Sequence, residues 1–157
     1  MLTAQPRSIF SWSFTVYDGG DPLAEVDLSW FRERGSFHLA GHEFDVLRTS
    51  MLQGEFALHS AGITLATARK ISPLLRSFEV CCQDRQYDLK AFHPFTRQFG
   101  LYHDDRPIGS IRPLHLFTRK AQIDLPQGIV LPVRIFMFWL VLILWRRAAR
   151  SSSSGGS

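Results

Sequence analysis

Residues 135–145 read Ile-Phe-Met-Phe-Trp-Leu-Val-Leu-Ile-Leu-Trp, eleven apolar side chains without a polar interruption. On a helix they point in every direction, so the segment needs protein or lipid on all sides. Eleven residues rise about 16 Å, and reaching back through Arg134 and Pro132 to Ile129 gives about 25 Å, short of a hydrocarbon core of about 30 Å. That length favours a helix buried in the protein over a membrane anchor. Pro132 suits the first turn of a helix, where its missing N–H is not needed, which puts the start near Leu131 and the helix over about residues 132–149. Its expected core-filling side chains are Phe136, Phe138, Trp139, Leu140, Leu142, Ile143 and Trp145. Arg146, Arg147 and Arg150 complement the negative end of the helix dipole. Residues 150–157 read as a disordered Ser/Gly tail.

Upstream, the chain is a series of short strands. Phe10, Trp12, Phe14 and Val16 alternate with Ser11, Ser13 and Thr15, a period of two that marks a strand over residues 9–17. Asp18-Gly19-Gly20-Asp21-Pro22 is a turn, and residues 23–28 return as its hairpin partner. Further strands are expected at 36–39, 44–48, 55–59, 64–68, 77–82, 86–92, 98–103, 107–111 and 116–125, the last with a break. Glycine- or Asp-containing turns such as Gly41-His42, Ala61-Gly62 and His103-Asp104-Asp105 separate them. Residues 70–75, with Pro73, read as a longer crossover, and residues 1–8 as an N-terminal arm.

An internal repeat organises these strands. Phe44-Asp45-Val46 recurs as Tyr87-Asp88-Leu89, Phe56-Ala57-Leu58 as Phe99-Gly100-Leu101, and Leu65 to Arg69 as Ile108 to Arg112, all 43 residues on. Phe14, Val16, Leu23 and Ala24 precede Phe56, Leu58, Leu65 and Ala66 by 42. Three units of four strands are too few for a propeller, which takes four to eight blades. They suit one antiparallel sheet of about twelve strands closed on itself. Such a barrel is too wide for its own side chains to fill, and a helix about 10–12 Å across fits the hole. The apolar helix is the expected plug, in a mainly β single domain over residues 9–149.

These features together resemble the superfamily of tubby-like C-terminal domains, which includes the LURP-one-related proteins and the phospholipid scramblases. The likeness spans roughly residues 9–149. It rests on the hairpins at 14–26, 56–68 and 99–111, the aromatic-Asp-aliphatic strands at 44 and 87, the Ala68-Arg69-Lys70 return, and the closing helix from Leu131-Pro132 to Trp145. A tubby signature segment, a proline-rich scramblase N-terminus and an acidic calcium loop are not seen, so the chain is most similar to the LURP-one-like branch. The resemblance implies a closed barrel around a hydrophobic helix. It further implies phosphoinositide binding, as in tubby proteins, or lipid translocation, as in scramblases.

No nucleophile elbow, phosphate loop or dinucleotide fingerprint is present, so neither an enzyme nor a cofactor is expected. His38, His42 and Glu43 lack the further ligands of a metal site, and His103-Asp104-Asp105 and Asp18/Asp21 read as turns. Cys81 and Cys82 are neighbours on a strand, so their side chains point to opposite faces and do not bridge. Basic residues recur instead: Arg69 matches Arg112 and Arg76 matches Arg119 at the 43-residue spacing, with Lys70 and Lys120 beside them. With a net charge of +4, these six are the candidate contacts for anionic phospholipid or phosphoinositide headgroups. The expectation is a non-catalytic binding barrel, cytoplasmic and peripheral at membranes, taking anionic lipid or a protein partner. Nucleic acid has less support, because the charge is modest. The alternative is a scramblase-like, single-pass membrane protein anchored by residues 129–145.

Overall fold

The computed structural model describes residues 1–28, 34–50 and 54–155. Twelve strands and one helix follow one another: β1 (Leu2–Pro6), β2 (Ser13–Asp18), β3 (Asp21–Leu28), β4 (Gly35–Leu39), β5 (His42–Ser50), β6 (Glu55–Ser60), β7 (Ile63–Lys70), β8 (Ser77–Cys82), β9 (Arg85–Ala91), β10 (Phe99–His103), β11 (Arg106–Pro113), β12 (Ala121–Asp124) and α1 (Leu131–Ser154). Each strand pairs antiparallel with its sequence neighbours, and β1 pairs with β12, closing the barrel.

This nearest-neighbour order gives the barrel two unlike ends. At one end, the turn end, β2–β3, β4–β5, β6–β7, β8–β9 and β10–β11 are joined by two-residue turns. Their residues have positive φ: Gly19 and Gly20, Ala40 and Gly41, Ala61 and Gly62, Gln83 and Asp84, Asp104 and Asp105. Positive φ at both central residues matches the right-handed twist of the flanking strands. The other end, the loop end, carries the longer connections after β1, β3, β5, β7, β9 and β11. The repeat is visible in the backbone as well. Register shifts occur at Val16/Tyr17, Leu58/His59 and Leu101/Tyr102, the same place in each unit, and bulges of this kind bend and twist a strand to help a sheet close.

α1 enters from the turn end and runs through the barrel. Residues 135–146 are buried without interruption, as expected of an element apolar on every face. The inward residues of the strands alternate with outward ones, and the large ones meet the helix. Phe14 lies edge-on to Phe138 with ring centroids 5.7 Å apart, and Phe56 lies edge-on to Trp139 at 5.5 Å. Trp139 Nε1 donates to Asp27 O at 3.4 Å. A Cβ added at Gly35 would collide with the Trp139 indole and the Asp27 carbonyl, so glycine is needed there for the sheet to approach the helix. Among the described residues no helix is long and apolar enough to cross a membrane.

Four expectations need correction. The N-terminal arm is not outside the barrel: residues 2–6 form β1, and Leu2 and Ala4 are buried. They lie 42 residues before Phe44 and Val46, so the repeat extends to the first strand. Residues 9–12 and 116–120 are loop rather than strand, so the twelfth strand comes from the N-terminus, not from a break in 116–125. Residues 70–75 are not a crossover, because β7 and β8 pair directly. The helix continues through Ser154. There the Ser151 and Ser152 hydroxyls donate to Arg147 O and Ala148 O, each at 3.0 Å, and so satisfy carbonyls of the last turns. Residues 156–157 of the expected tail lie outside the described residues.

Two measurements test this architecture. Leu140→Asp puts an unpaired charge at the middle of the plug, costs several kcal/mol, and is expected to abolish the cooperative thermal transition of the whole domain. Cys81 is exposed whereas Cys82 is buried, and burial, with the neighbouring Cys81, pushes the Cys82 thiol up. A thiol reagent is therefore expected to modify Cys81 promptly in the native protein and Cys82 only at the rate of global unfolding.

Candidate functional site: the basic loop end

The loop end is built from short segments tied to one another by arginines. In the β7–β8 loop, Arg76 closes the segment and reaches into the next loop, where its Nη1 donates to Pro94 O at 3.3 Å and Thr96 O at 2.5 Å. Arg97, closing that second loop, does the same to the third, with Nη1 to Leu116 O at 3.4 Å and Thr118 O at 2.8 Å. Arg119, closing the third, grips the β1–β2 loop through Ser11 O at 2.6 Å and Ser8 O at 2.5 Å. Each guanidinium also lies over an aromatic ring: Arg76 over Phe99 at 5.3 Å, Arg97 over Trp145 at 4.5 Å and Arg119 over Trp12 at 5.6 Å. A planar fork that can bond and stack at once is why arginine, not lysine, occupies these positions.

Burial holds all three guanidinium groups below the ordinary arginine range, and for Arg97 the nearby Arg119 charge adds to the effect. They stay charged at any ordinary pH. Through Arg97 the clamp reaches the plug, since Trp145 Nε1 donates to Arg97 O at 3.0 Å. The rim loops and the end of the buried helix thus form one network.

Beside this network lies an open cleft of about 620 Å³ lined by Arg48, Gly54, Arg69, Lys70, Ile71, Pro73 and Arg147. β5 supplies Arg48, β7 supplies Arg69 and Lys70, and the emerging end of α1 supplies Arg147. The backbone holds them in place. Lys70 N–H donates to Gly54 O at 3.2 Å, Lys70 Nζ to Pro73 O at 3.2 Å, and Arg48 Nε to Ser50 O at 3.1 Å. Arg69 pairs with Glu79 at 3.0 Å on the next strand. Among the described residues four cations and no carboxylate line the cleft, and with one of them, Arg69, paired to Glu79 the lining still carries an excess of positive charge that suits a multiply charged anion.

The six basic residues singled out from the sequence do not form one patch. Arg69 and Lys70 enter the cleft. Arg76 and Arg119 are clamps, with Nη1 of Arg76 and both terminal nitrogens of Arg119 donating to backbone carbonyls. Arg112 donates to Gln122 Oε1 at 3.0 Å on the outside of β11, four strand spacings or about 19 Å around the sheet from Arg69. Lys120 is exposed on the loop end just before β12. Sequence reasoning missed Arg48, Arg147 and Arg97. Arg97 had a signal, for Arg76, Arg97 and Arg119 are 21 and 22 residues apart, half the long repeat and one hairpin each. Arg48 and Arg147 have no such mark, because only the course of the helix through the barrel brings them together.

At the turn end the other candidates are local features. His38 Nε2 stands 3.9 Å from Glu43 Oε1 across β4–β5, both side chains exposed. His103 Nδ1 is 3.0 Å from Gln86 O, while Asp104 and Asp105 form the β10–β11 turn. Asp18 and Asp21 flank the β2–β3 turn.

Comparison of the chain with family models, with curated proteins and with solved structures finds no match.

The clamp makes a stability prediction. Arg97→Met removes two charge-assisted hydrogen bonds and strands two carbonyls, so a loss of roughly 2–3 kcal/mol is expected in denaturant unfolding. Arg97→Lys, which keeps the charge but not the fork, is expected to recover less than half of it.

Proposed function

We propose that this chain is a non-catalytic barrel that binds anionic phospholipid headgroups, phosphoinositides among them, at the loop-end cleft, and that it acts peripherally at a membrane surface. The observation that carries this reading is the cleft itself: Arg48, Arg69, Lys70 and Arg147 line one open space, and among the described residues no carboxylate lines it. A headgroup phosphate offers several anionic oxygens to such a set, and guanidinium groups bind it through paired N–H donors. The cleft's mouth opens at a barrel end rather than into a closed cavity, which fits a ligand whose acyl chains stay outside. The reading of the chain as a tubby-like, LURP-one-related protein belongs to the same proposal. It is supported by the twelve-strand closed sheet and its buried C-terminal helix, although a fold by itself carries no function.

Vesicle flotation tests the proposal. Wild-type protein is expected to float with phosphatidylcholine vesicles containing phosphatidylserine or phosphatidylinositol bisphosphate, and to stay at the bottom with phosphatidylcholine alone. Each basic residue near such a surface contributes about 1 kcal/mol. The triple reversal Arg69→Glu/Lys70→Glu/Arg147→Glu is therefore expected to lower the partition coefficient by a factor of at least about a hundred, at a stability cost of about 1 kcal/mol from loss of the exposed Arg69–Glu79 pair. Equal flotation of wild type and variant would reject the cleft as the binding site.

A further inference from the structure

The exposed large apolar side chains are not scattered over the barrel. Ile9, Phe10, Ile71, Leu74, Leu75, Phe92, Phe95, Leu114, Leu116 and Phe117 all belong to loop-end connections, against Met1, Ile63 and Val130 elsewhere. The tips are exposed almost completely: Phe10 80 %, Leu74 91 %, Phe95 98 % and Phe117 101 %. Because consecutive strands are neighbours around the closed sheet, these loops stand side by side on one rim. Their spacing follows the hairpin repeat. Phe10, Leu74, Phe95 and Phe117 fall in one series with intervals of 21–22 residues, and the empty places in that series are filled in the sequence by Phe31 and Leu52, which lie outside the described residues.

The tips are held outward by built structure. The loop stems are closed by equivalent backbone bonds, Arg7 N–H to Ser13 O at 2.9 Å, Phe92 N–H to Gln98 O at 3.0 Å and Leu114 N–H to Lys120 O at 2.9 Å. Within two loops a further turn frames the phenylalanine, Thr96 N–H to His93 O at 3.2 Å around Phe95 and Thr118 N–H to His115 O at 3.3 Å around Phe117. The arginine clamps then tie loop to loop. Apolar side chains at the outermost positions of braced loops lose little conformational freedom on docking.

We propose that this rim is a membrane-insertion crown: the apolar loop tips enter the headgroup–acyl boundary of an anionic bilayer. Charge complementarity in depth commits the surface to lipid. The tips lie in the middles of their loops, whereas Arg48, Arg69 and Lys70 belong to strand ends, Lys120 to a loop stem just before β12, and Arg147 to the stretch of α1 that lines the same cleft. Apolar side chains on the loops with cations at the strand ends and stems behind them is the order that a bilayer interface presents in reverse, acyl chains beneath phosphates. A protein partner would instead favour an apolar patch continuous enough to exclude water at its centre, whereas here the apolar residues are separate loop tips around a rim. This proposal rests on the headgroup reading for its orientation, but not for its driving force, which is apolar transfer.

The test uses Phe10→Ser/Phe95→Ser/Phe117→Ser in the full chain. Because those side chains are exposed, its thermal transition is expected to match wild type. Partition onto vesicles of phosphatidylcholine with phosphatidylserine is expected to fall by roughly tenfold for each phenylalanine removed. Calorimetric binding of water-soluble inositol phosphate, which has no acyl chain, is expected to be unchanged. A Phe117→Cys/Cys81→Ser protein carrying an environment-sensitive fluorophore should shift to the blue on those vesicles and be quenched by lipids brominated on the acyl chain. Vesicle binding that is unaffected by the triple substitution, or a fluorophore that acyl-chain bromine does not quench, overturns the crown. So does a triple variant that loses a wild-type self-association seen in sedimentation, which would make the rim an interface between copies. Failure of inositol phosphate to bind, with the tips still inserting, would overturn the headgroup cleft alone.

Discussion

Closure of a twelve-strand sheet imposes a debt in volume, and the rest of this molecule is arranged around settling it. A sheet of that size leaves a lumen that inward side chains from the strands do not fill, and an empty lumen would lose the dispersion contacts that a close-packed interior needs. α1 fills it with Phe136, Phe138, Trp139 and the aliphatic residues between them, all buried. Strand residues adapt to its girth in both directions. Phe14, Phe37, Phe56, Phe78 and Phe99 reach inward where there is space, while Ala4, Ala24, Ala66, Ala68 and Gly35 allow the sheet to come close. Neither component has a partner without the other, since a helix apolar on all faces is insoluble alone and an unfilled barrel is unpacked.

The direction in which the helix threads the barrel also decides where chemistry can be assembled. Tight two-residue turns at the entry end leave little material for a site. At the exit end the longer connections supply side chains, and the helix itself delivers Trp145 to the arginine clamp and Arg147 to the cleft. The plug therefore fills the barrel along its buried length and lines the cleft at its end. The same arginine-rich composition serves two purposes there. Where a guanidinium has carbonyls and a ring within reach, as at Arg76, Arg97 and Arg119, it bonds to a neighbouring loop. Where strands and helix end beside an open space, basic side chains line that space while keeping local partners of their own, as Arg69 does with Glu79 and Lys70 with Pro73 O.

A pseudo-symmetric fold explains why the rim is so regular. A hairpin of 21–22 residues is repeated around the axis, so whatever side chain occupies one loop tip has a counterpart at the next, and whatever arginine closes one loop can bridge to its neighbour by the same geometry. Phe95 and Phe117, with His93 and His115 before them and Thr96 and Thr118 after them, are two copies of one small structure. Symmetry converts a single solution for bracing a loop into a continuous band, and it spreads the apolar tips along an arc instead of gathering them at one point.

Much of the fold was legible because it depends on local patterns with fixed periods. Alternation marked the strands, paired turn residues marked the hairpins, the 42–43-residue repeat set the strand number, and the unbroken apolar run from Ile135 identified the plug. β1 escaped because five residues beginning Leu-Thr-Ala carry too little alternation to be read alone, and the Ser151–Ser154 extension because serine favours a helix end only once a helix precedes it. The candidate site was legible in kind but not in membership. Basic residues could be counted, but whether a guanidinium faces solvent or a neighbouring loop's carbonyl depends on which strands lie side by side. Arg69 and Arg112 match in sequence yet stand about 19 Å apart around the sheet, and Arg48 and Arg147, almost a hundred residues apart, line one cleft. Periodicity alone determined the elements and their number, because hydrogen bonding and burial act on each segment as it stands. Only tertiary structure decided which charges share a space, because that depends on closure of the sheet and on the end at which the helix emerges.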